Sequence, residues 1–170
     1  MSVEFKVLLC DITKLEVDAI VNSANSSLRM GSGLSGAIHR AAGPELYEEC
    51  KQYGVLQYGN AVITKGYNLL SKYVIHTVAP KWYLNNPLRE EYLKSCYKES
   101  LRLAEENKIK EIAFPCIGMW IYKCPLEIGA KIAIDTVKSQ VDNFKSINKI
   151  YFVCGSENQF EVYKNLIKNS

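Results

Sequence analysis

The sequence predicts an α/β protein: a three-layer α/β/α sandwich in which helices cover both faces of a central mixed sheet. Short β-branched-rich segments alternate with longer ones whose apolar residues recur every three or four positions, and that alternation builds layered α/β folds. An apolar strand, Asp18-Ala19-Ile20-Val21, runs through Asn22 and Asn25 into a glycine-spaced turn that opens a helix. The loops after Leu9, after Val21 and after Phe114 each follow a strand. Such loops converge on a crevice beyond the strand ends, where ligands of open α/β sheets sit.

Each element has its own warrant. Val3 to Leu9 reads as the first strand, Asp18 to Val21 as a short buried one, and Leu34 to Ala42 as a helix. Ala61 to Thr64 and Tyr73 to Thr77 are β-branched-rich runs bounded by Gly59 and Gly66, so both read as strands. Between Pro87 and Glu106, residues Leu88, Tyr92, Leu93, Cys96, Tyr97 and Leu101 keep helical spacing, and Pro87 suits a first turn. Glu111 to Phe114 and Lys149 to Val153 are apolar strands. Helices over Leu126 to Val141 and about Asn158 to Ile167 follow them. No internal repeat, linker or low-complexity stretch interrupts the pattern.

Composition narrows the function classes. With 170 residues and 48% hydrophobic content, residues 1–170 are expected to form one domain with a sizeable core. No apolar stretch is long enough to span a bilayer, and the N-terminus lacks a basic region followed by an apolar run. A soluble, intracellular, cytoplasmic protein is the expectation. The six cysteines are scattered, several in strand-like segments, which suits reduced buried thiols better than a disulfide framework. No paired C-x-x-C spacing supports zinc, so neither a metal nor a cofactor is expected. The net charge of +3 suits a small anionic ligand but is too weak and dispersed to argue for nucleic acid. Nothing demands a dimer, so a monomer is expected.

The chemistry concentrates in Met30-Gly31-Ser32-Gly33-Leu34-Ser35-Gly36, downstream of Asn25. Glycines in such a turn let backbone N–H groups approach an anion, and the helix start adds its partial positive charge. A neutral amide beside them can hydrogen-bond sugar hydroxyls without repelling phosphate.

This context resembles the macro domain, a family that binds ADP-ribose. The resemblance rests on Cys10-Asp11-Ile12-Thr13, Asp18-Ala19-Ile20-Val21-Asn22-Ser23-Ala24-Asn25 and Gly36-Ala37-Ile38-His39-Arg40-Ala41-Ala42-Gly43-Pro44-Glu45-Leu46. It continues through Lys72 to Pro80 and through Ile112-Ala113-Phe114-Pro115 into the loop Cys116 to Pro125. The resemblance implies that Asp11 accepts from the adenine amino group while the Ile12 amide contacts the ring. It implies that Asn25 contacts the distal ribose, with Tyr122 beside it. The turn Gly31, Ser32, Gly33 and Leu34 and the loop Ile117, Gly118, Met119, Trp120, Ile121 and Tyr122 would embrace the diphosphate, with Gly155 at the adenine end. Asn22, His39 and His76 read as structural.

Three features depart from the family pattern: the hydrolytic positions, the second loop and the adenine end. Ser35 stands where the hydrolytic branch often has an aspartate, and an unassisted serine is too weak a base at neutral pH. Val78 stands where a second hydrolytic type has a lysine. Met119 and Trp120 replace a small residue and a glycine, and Lys123 often aligns with another glycine. A left-handed turn at Trp120 would cost roughly 1–2 kcal/mol; with an ordinary backbone the indole either swings outward or lies across the cleft. Gly155 replaces an aromatic ring stacked on adenine, a contact worth roughly 1–3 kcal/mol, for which Phe160 is a candidate substitute. The resemblance therefore implies a binder of ADP-ribose, free or as mono-ADP-ribosyl on proteins. An alternative is an ADP-ribosyl ester hydrolase in which Asn25 helps to position water. A further alternative is an interaction domain whose site Trp120 has closed.

Overall fold

The strand Ala19–Ser23 (β2) shows how the layers arise: Ala19 and Val21 point into one core, while Ile20 points into the other. Two-residue periodicity with apolar residues on both faces is what a strand buried between helical layers requires. The computed structural model describes residues 2–170. Its other strands are β1 (Glu4–Leu9), β3 (Ala61–Lys65), β4 (Tyr73–Thr77), β5 (Glu111–Phe114) and β6 (Lys149–Cys154). They form one sheet in the order β1-β6-β5-β2-β4-β3, parallel throughout except for the β3–β4 pair. The sheet is therefore mixed, and the loops after Leu9, Ser23, Phe114 and Cys154 leave it at one edge.

The helices are α1 (Gly33–Ala42), α2 (Glu45–Cys50), α3 (Arg89–Glu106), α4 (Leu126–Ser139) and α5 (Glu157–Lys168). Ile38 and Ala42 of α1 and Leu46 and Cys50 of α2 pack on one face of the sheet. Leu93, Cys96 and Leu101 of α3, Ala130 and Ala133 of α4 and Tyr163 of α5 pack on the other. This is the expected three-layer sandwich. On the second face Tyr97, Phe114, Phe152 and Tyr163 form a chain of rings with centroids 5.2, 6.1 and 5.6 Å apart, each pair worth about 0.5–1.5 kcal/mol beyond its buried area.

Two local differences from the sequence reading have physical causes. α2 is six residues long and buries only Leu46 and Cys50, too short a stretch for periodicity to register. Pro87 precedes α3 instead of opening it, because Asn86 Oδ1 accepts from Leu88 N (2.8 Å) and the resulting turn delays the helix to Arg89. Asp18 ties the strand starts together: its Oδ2 accepts from Lys110 N (2.9 Å) and Glu111 N (3.0 Å) at the entrance to β5.

Candidate functional site

Beyond the parallel strand ends lies a cleft made of two cavities. The larger, about 500 Å³, is lined by Cys10, Asp11 and Ile12 after β1, by Pro115 and Cys116 after β5, and by Val153 to Ser156 at the end of β6. Asp11 caps the short 3-10 turn Ile12–Lys14: its Oδ1 accepts from Thr13 N (3.0 Å) and Thr13 Oγ1 (2.7 Å). These bonds, led by the Thr13 hydroxyl, hold the carboxyl below its ordinary value. Asp11 is thus ionised at neutral pH with Oδ2 available as an acceptor. Opposite it, Gly155 N donates to Gln159 Oε1 (2.9 Å), and a Cβ built on Gly155 meets only that oxygen, at 3.8 Å. Phe160 does not line this cavity; it packs against the core.

The smaller cavity, about 240 Å³, is lined by Ser23 to Asn25, by Gly31, Ser32, Leu34 and Ser35, and by Cys116, Gly118 and Trp120 to Tyr122. Asn25 organises its wall. Its Oδ1 accepts from Ser27 Oγ (3.0 Å) and Arg29 N (3.1 Å), and its Nδ2 donates to Arg29 O (2.9 Å). Both oxygen lone pairs are used and one amide hydrogen remains. The loop that Asn25 clamps holds buried Leu28 at φ 58°, a conformation a leucine adopts only where its surroundings impose it. A Cβ on Gly31 would stand 3.3 Å from Asn25 Nδ2, and one on Gly36 would stand 2.3 Å from Gly31 O. The turn therefore sits tightly between Asn25 and α1. Ser32 precedes α1 without a side-chain cap, so the first N–H groups of the helix have no side-chain partner there.

No aspartate, glutamate or histidine lines this smaller cavity. Ser35 Oγ donates to Arg29 O at 3.4 Å, so the serine is a loop contact. Burial first, then the nearby Tyr58 and Tyr83, raise the Tyr122 phenol above its ordinary value.

Trp120 joins the two halves. Its backbone is ordinary; the left-handed positions of its loop are Gly118 (φ 75°) and Lys123 (φ 66°). The indole lies over Gly33, where a Cβ would meet Cζ3 at 2.2 Å and Cε3 at 2.7 Å. It is 67% exposed, and Trp120, Leu34 and Cys116 line both cavities. The ring thus lies across the cleft as a bridge between the loops, with open volume on each side.

Three residues expected at the ligand line neither cavity. Gly33 is covered by the indole and lines neither cavity. Ile117 is fully buried in the core. Met119 turns down onto α4, where Gly129 leaves the room: a Cβ there would stand 2.7 Å from Met119 Cε. Conversely, Ser23 and Cys116, which lie within the motif segments but outside the expected ligand contacts, and Gln159, which no motif marks, line the cleft. His76 is interior: Asn22 Nδ2 donates to its Nδ1 (3.1 Å), and its Nε2 lies 3.0 Å from Thr64 Oγ1. His39 is buried beside it, with ring centroids 6.3 Å apart. Neither histidine lines either half of the cleft.

The family model for the Macro domain matches residues 21–133. The chain is 48% identical over 157 residues to human ADP-ribose glycohydrolase MACROD2, covering 91% of this chain and 37% of that protein. It is 43% identical over 171 residues to the O-acetyl-ADP-ribose deacetylase of Klebsiella pneumoniae, covering 98% of each. Among solved structures, the Trypanosoma brucei macrodomain in complex with ADP-ribose matches with a TM-score of 0.90 at 33% identity, covering 96% of this chain and 69% of that one. The fold, a six-stranded mixed sheet between two helical layers, is thus shared with proteins of one class. The chain belongs to the macro domain family.

Proposed function

We propose that this chain binds ADP-ribose or a derivative of it, free or as mono-ADP-ribosyl on proteins, along the cleft that Trp120 bridges. One observation carries the reading. The two cavities adjoin at Trp120, Leu34 and Cys116, with an ionised acceptor at one end and an unused amide hydrogen at the other. In this reading the adenine amino group donates to Asp11 Oδ2, the Ile12 backbone borders the ring, and Gly155 flanks it. The uncapped start of α1 and Gly31, Ser32 and Leu34 take the diphosphate, with Gly118 and Trp120 to Tyr122 closing over it. Asn25 donates to a hydroxyl of the distal ribose. The Trypanosoma brucei macrodomain complex with ADP-ribose, on the same fold, supports ADP-ribose as the ligand.

A second reading, hydrolysis of an ADP-ribosyl ester, is favoured by two relatives named as a glycohydrolase and a deacetylase. The smaller cavity offers no carboxylate or imidazole base. In this chain the attacking water would therefore be held by Asn25 and the turn, with the ligand's own phosphate as proton acceptor. Residues 1–170 act as one domain in both readings. A cleft built from a single chain supports action as a monomer. Six unpaired thiols support a reducing, cytoplasmic setting, and no helix among the described residues is long and apolar enough to cross a membrane. The modest charge of +3 argues against nucleic acid as the partner.

The test is calorimetric titration of ADP-ribose into the protein and its Asn25→Ala variant, followed by a time course with O-acetyl-ADP-ribose. Saturable one-to-one binding that weakens on the order of tenfold or more in the variant is expected. Binding that Asn25→Ala leaves unchanged would overturn the assignment of the cleft. Acetate release proportional to protein concentration selects the hydrolase reading; none above background at high protein concentration rejects it for that substrate.

A further inference from the structure

Cysteine side chains gather at the larger cavity in a way the ligand reading does not use: Cys10, Cys116 and Cys154 all line it, and Cys116 lines the smaller one as well. β5 ends at Phe114, in register with Phe152 of β6; Cys116 follows two residues later in the loop, where its thiol donates to Val153 O (3.9 Å), next in sequence to Cys154 at the end of β6. Both cysteines pack on the same core. Neighbouring strands run about 4.7–4.9 Å apart and a disulfide spans roughly 4.4–6.8 Å between Cα atoms, so a thiol held against the end of β6 by its contact with Val153 O is within reach of Cys154. Cys10 sits one residue past Leu9, which is the register partner of Cys154, so it points to the other face of the sheet.

We propose that Cys116 and Cys154 are a hydroperoxide-oxidisable dithiol on the floor of the cleft, a covalent modification site whose closure reshapes the cavity. The two thiols are chemically unequal. Hydrogen bonds from the Cys154 thiol and then the Tyr163 hydroxyl outweigh burial and lower the Cys116 thiol, while the Cys154 thiol is raised. All four remaining thiols are raised, chiefly by burial, those of Cys50, Cys96 and Cys124 to about 11, 12 and 12. The thiolate, not the thiol, is the nucleophile, so Cys116 attacks first and Cys154 resolves.

The Cys116 thiolate attacks the peroxide O–O bond. An S–O bond forms, the O–O bond breaks, and the leaving hydroxide takes the thiol proton as water, giving a sulfenic acid. The Cys154 sulfur then attacks the Cys116 sulfur. The S–S bond forms, the S–O bond breaks, and hydroxide leaves with the Cys154 proton as a second water. Two thiols are oxidised and one peroxide is reduced to two waters. Because Cys116 floors both halves of the cleft, drawing its sulfur toward Cys154 alters the surface beneath Trp120. This coupling to ADP-ribose rests on the proposed function; the dithiol itself does not.

The experiment treats the reduced protein with hydrogen peroxide, traps free thiols and reads intact mass and linked peptides. Loss of two hydrogens, with Cys116 joined to Cys154 and reversal by dithiothreitol, is expected, and Cys10→Ser is expected to give the same link. Cys154→Ala, checked for folding by circular dichroism, is expected to stop at a Cys116 sulfenic acid captured by dimedone. A link through Cys10, or no link in folded protein under excess peroxide, overturns the proposal. Oxidation is expected to weaken ADP-ribose binding on the order of tenfold; unchanged affinity in fully linked protein overturns the coupling alone. A reduced protein that does not bind ADP-ribose overturns the functional reading, while the peptide map still decides the dithiol.

Discussion

Single residues set the reach of the cleft, and Trp120 is the most consequential. Its indole spans the loops over Gly33 and leaves room on both sides, so it works as a roof over whatever lies between the cavities. Trp120→Gly removes that roof, and ADP-ribose is expected to dissociate on the order of tenfold faster by stopped-flow fluorescence or competition. Equal dissociation rates would mean that the indole leaves the groove when ligand enters. Gly155 offers the opposite case. The space above it is open and its φ is not left-handed, so Gly155→Phe can place a ring where the adenine is proposed to lie. A gain of roughly 1–3 kcal/mol in ADP-ribose affinity is expected by calorimetry, and no gain would move the base elsewhere. Asn25 and the turn glycines were legible from the sequence because spacing after a strand is local information. The inward turn of Met119 was not, because it depends on the room left by Gly129 on a helix that follows later in the chain.

At the scale of elements, the close fit between α1 and the turn before it decides the shape of the smaller cavity. A Cβ on Gly36 would stand 2.3 Å from Gly31 O and 2.9 Å from Arg40 Nη1. The guanidinium can swing away; the carbonyl moves only with the turn. Gly36→Ala is therefore expected to cost about 1–3 kcal/mol, lowering the melting temperature by roughly 2–4 °C for each kcal/mol. It is also expected to weaken ADP-ribose binding. A melting curve and an affinity that both match the unmutated protein would mean that the turn is not held by the helix. Long helices with a clear apolar face and short apolar or β-branched strand runs were readable from sequence. The helix Glu45–Cys50 was not, because tertiary burial of Leu46 and Cys50 carries it and its own periodicity is too brief.

For the molecule as a whole, polar groups inside the sheet layer make stability depend on pH. His76 is fully buried, and burial first, then neighbouring His39, push its pKa down to about 3; burial lowers His39 as well. An unfolded histidine takes up its proton near about 6.5. Below that pH the unfolded chain binds more protons than the folded one, so the stabilisation present above about pH 6.5 is lost as pH falls toward about 3. The urea midpoint is expected to be lower near pH 5 than near pH 7.5, with a flatter dependence in His76→Gln; identical profiles would refute the assignment. The layer architecture, the strand that feeds the cleft and the turn that opens α1 could be read from the amino-acid order alone, because strand and helix periodicities and glycine spacing are properties of neighbouring residues. That Trp120 bridges two cavities, that Ile117 and Met119 face the core, and that Cys116 and Cys154 line the same cavity emerged only from the packed chain. Those outcomes depend on strand order and on which distant side chains leave room, and no local pattern encodes either.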